Sequence, residues 1–272
     1  MPSAPSLTVT TAARPARPDR PSEDRIFVTP NAVIILDGAT QAIKLDRNGE
    51  WIAQELGQRL ADGLEADPFC ELPKLLEDRI GELVDTFGLE PGKAPSTTVS
   101  MVRLAGDRLD VMVLCDSPVI VLDRTGNIHQ IRDDRLDDVS NSIQRPPGRP
   151  DLTDPEWIRT IEEFESHRNQ PGGFWVPSAT PEAARYSIER SFDAADVDTA
   201  VLLTDGASAG VDDYAVPPNW AEGVEVAKRS AAEFVALVHA TEESDPDCEH
   251  WPRSKIHDDK SVAVVKVERD QS

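Results

Sequence analysis

Residues 32–36, Ala-Val-Ile-Ile-Leu, run without a polar interruption and stop at Asp37 and Gly38. A run this short and this rich in β-branched residues reads as a buried strand. Residues 26–28 precede it across a turn at Pro30 and Asn31, so the two segments form a hairpin. A buried strand demands a core, and 39% hydrophobic residues in a chain of 272 can supply one.

Two amphipathic helices follow. Trp51, Ile52, Leu56, Leu60 and Leu64 recur at helical spacing, as do Leu72, Leu75, Leu76, Ile80, Leu83 and Val84. The period then switches to two. Residues 98–104, 109–115, 119–122 and 128–131 are expected strands, punctuated at Gly106, Pro118 and Gly126, and read as an antiparallel meander. Residues 137–180 are less regular: a loop at 145–150, a helix over 156–167 capped by Thr153 or Asp154, and a break at Gly172 and Gly173. A strand over 198–204, one long helix over 220–239 and a last strand over 261–267 complete the pattern. Upstream, residues 1–22 alternate briefly at Leu7 and Val9. They then become rich in Pro and Arg, a composition that reads as extended chain. With no repeat and no boundary, residues 1–272 are expected to form a single α+β domain with antiparallel sheets.

Acidic residues mark the ends of these strands. Glu23 and Asp24 precede residues 26–28, Asp37 follows 32–36, Asp205 follows 198–204, and Asp258 precedes 261–267. Antiparallel strands in a common sheet can bring such ends together. Gathered carboxylates raise one another's pKa. Divalent cations remove the conflict, and hard oxygen donors select Mg²⁺ or Mn²⁺. Glycine at 38 and 206 permits close backbone approach, so the Gly38 carbonyl is a candidate ligand. Each Asp-Gly pair alone reads as a turn; the whole set points to a metal centre.

The formal net charge of −22 suits cations and basic partners and disfavours nucleic acid and anionic membranes. No stretch approaches the roughly 20 apolar residues of a membrane span, and the N-terminus lacks the apolar segment of a secretion signal. Cys70, Cys115 and Cys248 are odd in number and lack C-x-x-C spacing, which fits reduced thiols in a cytoplasmic protein.

Six short motifs in order resemble those of the PP2C (PPM) family, bacterial type. They are Glu23-Asp24, Leu36-Asp37-Gly38, Ser96-Thr97-Thr98, Cys115-Asp116-Ser117, Thr204-Asp205-Gly206 and Asp258-Asp259-Lys260-Ser261-Val262. The resemblance implies a four-layer αββα sandwich of two antiparallel sheets flanked by helices, with two metal ions at one end. It implies that Asp37 bridges the metals, Asp205 and Asp258 hold the first, and Glu23 and the Gly38 carbonyl hold the second. Asp24 would act through bound water. Asp116 would help hold a third, weaker ion with Asp205, or serve only as a turn. Arg20, with Arg17 as second choice, would contact the phosphate. Residues 137–180 would form the flap beside the site.

The implied reaction is hydrolysis of phosphoserine or phosphothreonine in a protein by metal-activated water. The enzyme would be a Mg²⁺- or Mn²⁺-dependent monomer opposing a Ser/Thr kinase. A catalytically weak binding module and a phosphatase of a small metabolite are the alternatives. The chain departs from the family pattern after Gly38: the glycine-rich tail of D-G-x-G-G is absent, the sequence reading Asp37-Gly38-Ala39-Thr40, and Ala39 stands where some members carry a His. Asp259 stands in place of Asn and reads as a solvated neighbour, and His257 reads as a surface histidine.

Overall fold

The computed structural model describes residues 5–39, 46–146, 151 and 153–268. Residues 1–4, Thr40 and residues 147–150 of the expected loop lie outside them. In chain order the elements are β1 (Ser6–Arg14), β2 (Arg25–Val28), β3 (Ala32–Leu36), α1 (Gly49–Ala66), α2 (Leu72–Phe87), β4 (Val99–Ala105) and β5 (Arg108–Leu114). Next come β6 (Val119–Asp123), β7 (Ile128–Ile131), α3 (Arg135–Ser142), α4 (Pro155–Ser166) and a 3-10 turn at Pro181–Tyr186. The chain ends with β8 (Ile188–Asp193), β9 (Val197–Leu203), α5 (Asp205–Asp212), α6 (Trp220–Arg229), α7 (Ala231–Glu243) and β10 (Lys260–Glu268).

Two five-stranded sheets result, ordered β1-β10-β9-β6-β7 and β2-β3-β4-β5-β8. All their pairings are antiparallel. The unbroken apolar run of β3 has a simple cause. Ala32, Ile34 and Leu36 point into a core shared with α1 and α2, whereas Val33 and Ile35 point into the core between the sheets. A strand covered on both faces has no polar face to show. On the far side, Val201, Leu203, Val262 and Val264 pack against α5, α6 and α7. The layers are therefore helices, sheet, sheet, helices, as the family resemblance implies.

Several local expectations change. The four strands 98–131 are not one meander: β4 and β5 pair in one sheet, β6 and β7 in the other. Period and turns are the same for a hairpin in either sheet, so the crossing leaves no local signal. The expected single helix over 220–239 is two, because Ser230 is extended (φ −164°) and its side chain accepts from the Glu233 N–H, capping α7. The N-terminal alternation at Leu7 and Val9 belongs to a full nine-residue edge strand paired along β10. Strand β8 was not expected, and its mostly exposed residues explain why. Among the two caps considered for α4, Asp154 accepts from the Glu156 N–H at 2.8 Å.

One interior contact joins the helical layer to the sheet. Lys260, at the start of β10, is fully buried, and its ammonium donates to Glu242 Oε2 at 2.6 Å and to the Asp258 carbonyl at 2.8 Å. Glu242, on α7, is buried as well. Removing Lys260 leaves Glu242 buried with only His257 Nδ1 and the Tyr214 hydroxyl beside it, a cost of up to about 3–5 kcal/mol. Lys260→Met should therefore lower unfolding free energy in urea by that amount, and Lys260→Met with Glu242→Leu should recover most of it.

Candidate metal centre

The two sheets bring their acidic ends to one place. Asp24 and Asp37 flank the β2–β3 pair of one sheet, while Asp205 and Asp258 flank the β9–β10 pair of the other. The expectation of a common sheet is thus corrected: the carboxylates face each other across the sandwich. Asp116, at the turn after β5, joins them.

Backbone and hydroxyl contacts hold each carboxylate in place. The Asp37 N–H donates to Thr98 Oγ1 at 3.1 Å, and its carbonyl accepts from the Thr98 N–H and the Thr97 hydroxyl, both at 2.8 Å. The Thr204 hydroxyl donates to Asp24 Oδ2 at 3.0 Å and accepts from the Ser261 N–H at 3.0 Å. Asp24 Oδ1 is buried and makes no well-formed hydrogen bond, with the Ser261 hydroxyl close enough to the carboxylate to favour its charged form. Asp205 begins α5, and its Oδ1 accepts from the Gly206 N–H.

The charges are in conflict. Burial, with Asp259 and Asp205 nearby, pushes the Asp24 carboxyl up to about 8. Burial and then Asp24 and Asp205 hold Asp37 well above the usual range. Burial and Asp205 push Asp116 up to about 7. Burial and Asp205 raise Asp258 to about 6, against the pull of Lys255. Asp205 acts on all four. A buried oxygen without a well-formed hydrogen bond, amid all-oxygen donors that resist ionising together, fits a hard divalent cation. The residues present therefore fit the metal ions that the family implies.

The two glycines serve close approach. A Cβ at Gly206 would lie 2.1 Å from the Asp259 carbonyl oxygen, and one at Gly38 would lie 2.4 Å from the Gly49 backbone at the start of α1. Asp205 and Gly206 open a helix, so the turn reading does not apply to them.

The other candidates are placed as follows. Glu23 is partly buried, and its carbonyl oxygen lies against Gly38. Arg20 and Arg17 are exposed, and Arg17 pairs with Asp19 at 3.0 Å. Neither arginine lines the cleft that opens on Asp37. Asp259 is no solvated neighbour. Its two oxygens accept from the Ala16 N–H at 2.6 Å and the Glu23 N–H at 2.7 Å, clamping the loop between β1 and β2. Asn could accept only one of these bonds. His257 is not a free surface residue, since its Nδ1 lies 2.8 Å from Glu242 Oε2.

Sequence reasoning missed Lys255, whose ammonium lies 2.9 and 3.1 Å from the Asp258 oxygens. Burial alone would lower its pKa, but Asp258, Asp205 and Asp37 together raise it. A lysine in a Pro- and charge-rich loop carries no periodic signal.

Two outcomes are expected. Raised carboxyl pKa values mean that the folded chain binds more protons than the unfolded one between about pH 4 and pH 8, so stability must fall as pH rises through that window. The metal-free protein should melt at a lower temperature at pH 8 than at pH 5, by calorimetry. Asp259→Ala should speed amide hydrogen exchange at Ala16 and Glu23 by about tenfold or more, since a hydrogen bond to a charged group contributes about 1.5–3 kcal/mol.

Comparison with known proteins supplies the relationship. The family model for protein phosphatase 2C matches residues 16–245. No curated protein sequence matches the chain. The structure is similar to the catalytic domain of the serine/threonine phosphatase PstP, solved with two manganese ions (18% identity, TM-score 0.59, covering 97% of this chain and 99% of that one). It is also similar to Stp1 of Staphylococcus aureus (16%, 0.62, 96% and 95%). A third similar structure is MsPP of Mycobacterium smegmatis, solved with cacodylate (15%, 0.58, 97% and 99%). At these identities the solved structures speak for the fold, and the family match covers most of the sequence. The chain belongs to the protein phosphatase 2C family of serine/threonine phosphatases.

Proposed function

We propose that this chain removes phosphate from phosphoserine and phosphothreonine of proteins, using Mg²⁺ or Mn²⁺ held by the carboxylates at the open end of its sandwich. The observation that carries the reading is the convergence of Asp24, Asp37, Asp116, Asp205 and Asp258 from two sheets, with the Asp24 and Asp37 carboxyls buried among one another's charges. In this reading Asp37, Asp205 and Asp258, with Glu23 and the Gly38 carbonyl, would hold the ions. Asp116 would help Asp205 hold a further, weaker ion, and Asp24 would contribute through bound water. Such ions, when bound, lower the pKa of a water and stabilise charge on the phosphoryl oxygens.

The chain's own residues do the rest. Thr97 and Thr98 fix the Asp37 backbone, and Thr204 fixes one Asp24 oxygen. The Asp259 clamp holds the loop that carries both Glu23 and Arg20, so Arg20 remains our candidate for the phosphate contact. Residues 137–180 serve as the flap of a single catalytic unit. The substrate would be the product of a Ser/Thr kinase, and the enzyme would act as a monomer in the cytoplasm. Among the described residues no helix is long and apolar enough to cross a membrane.

One observation favours a second reading, a catalytically weak binding module: the Lys255 ammonium rests on Asp258, a carboxylate assigned here to a metal. An assay separates the two. With Mn²⁺ present the protein should release phosphate from a phosphopeptide, and Asp37→Asn should cut that rate at least about 100-fold. Wild-type turnover in the variant would remove the assignment of Asp37, and no turnover in the wild type would favour the module. Arg20→Ala should raise KM about tenfold while leaving the Mn²⁺ titration unmoved.

A further inference from the structure

The cleft that ends on Asp37, Asp205 and Asp258 is larger than a phosphate needs, with a volume of about 710 Å³. Beyond the carboxylates its lining turns apolar. Trp157, Ile161 and Phe164 of α4 contribute, with Leu136 and Ile143 at and beyond α3, and Phe174. On α4 these three residues stand at i, i+4 and i+7, so they form one face of the helix. Of that face only Trp157 is buried, while Ile161 and Phe164 remain partly exposed toward the cleft. The face is anchored behind: Phe164 stacks on Phe174 at 5.0 Å between centroids, and Phe174 shares a buried cluster with Cys115, the neighbour of Asp116 in sequence. Arg168 also lines the cleft, but its guanidinium is engaged by both Glu165 oxygens at 2.7 Å and by Ser96. It holds the floor of the wall and is not free to take a second anion.

A cavity of this size, with carboxylates at one end and an apolar wall edged by Arg145, Thr160, Glu165 and Arg168 at the other, suits a ligand that is itself amphipathic. A phosphate fills only the carboxylate end. We infer that the apolar wall formed by Trp157, Ile161 and Phe164 receives a bulky apolar side chain next to the phosphorylated residue, so that the preferred substrates are phosphoprotein segments in which phosphoserine or phosphothreonine is flanked by an aliphatic or aromatic residue. This rests on the phosphatase reading above and specifies its substrate class. The wall's apolar side chains take no part in phosphoryl transfer, so it contributes equally to the ground and transition states and acts through KM. Filling such a surface with one apolar side chain gives a selectivity of about 10–100-fold.

Two phosphoserine peptides of equal length and charge test this, one with Leu and Phe beside the phosphoserine and one with Ser and Asn. With Mn²⁺ the first should be hydrolysed with a kcat/KM about 10–100-fold higher, mostly through KM. Tryptophan fluorescence titration should show the same ranking of affinity without turnover. Ile161→Ser and, separately, Phe164→Ser should each shrink the ratio between peptides toward one. Circular dichroism checks that each variant is folded, and Ile161→Ser is the milder change. Equal affinity of the two peptides for the wild type, or a ratio unmoved in both folded variants, overturns the inference. Ranked binding without phosphate release would overturn the phosphatase reading while leaving the apolar wall in place.

Discussion

Carboxylates that cannot all be charged at once are the constraint around which the structure is arranged. Asp24, Asp37, Asp116 and Asp258 are each pushed up by burial, and Asp205 lies close enough to act on every one of them. A protein assembled for stability alone would keep these groups apart. Here two sheets are needed to gather them, and threonine hydroxyls, glycines and the Asp259 clamp keep them in register. The fold and the site are thus one problem: the sandwich supplies facing strand ends, and the strand ends supply the donors.

Much of this was legible from residues alone, for identifiable reasons. The apolar run 32–36 could only be a strand covered on both faces, and the 3.6-residue spacing from Trp51 to Val84 could only be two packed helices. The acids stood out because each lay just before or just after an expected strand. Partition of strands between sheets was not legible, since the turn at Ser117 and Pro118 looks the same whether the next strand stays in its sheet or crosses to the other. The edge strands β1 and β8 were hidden by their exposed residues. Ser230 divides the last helices through a cap whose signal is one serine in a continuous amphipathic pattern.

At the site, the distinction lies between residues that act through position in a strand and residues that act through distant contacts. Asp37, Asp205 and Asp258 belong to the first kind. Asp259 and Lys260 belong to the second: their neighbours in sequence say nothing of Ala16, Glu23 or Glu242, which they bind. Lys255 is similar, a loop cation whose partner becomes evident only when Asp258 is placed.

The loop clamped by Asp259 also contains Pro15, Pro18 and Pro21. Three rings with fixed φ, closed by a carboxylate at both ends, leave that segment few conformations to lose. Under the proposed assignment, Glu23 and Asp24 would therefore meet an incoming ion already ordered. The entropy of arranging them falls on the folding of the chain, and almost none of it remains to oppose the filling of the site.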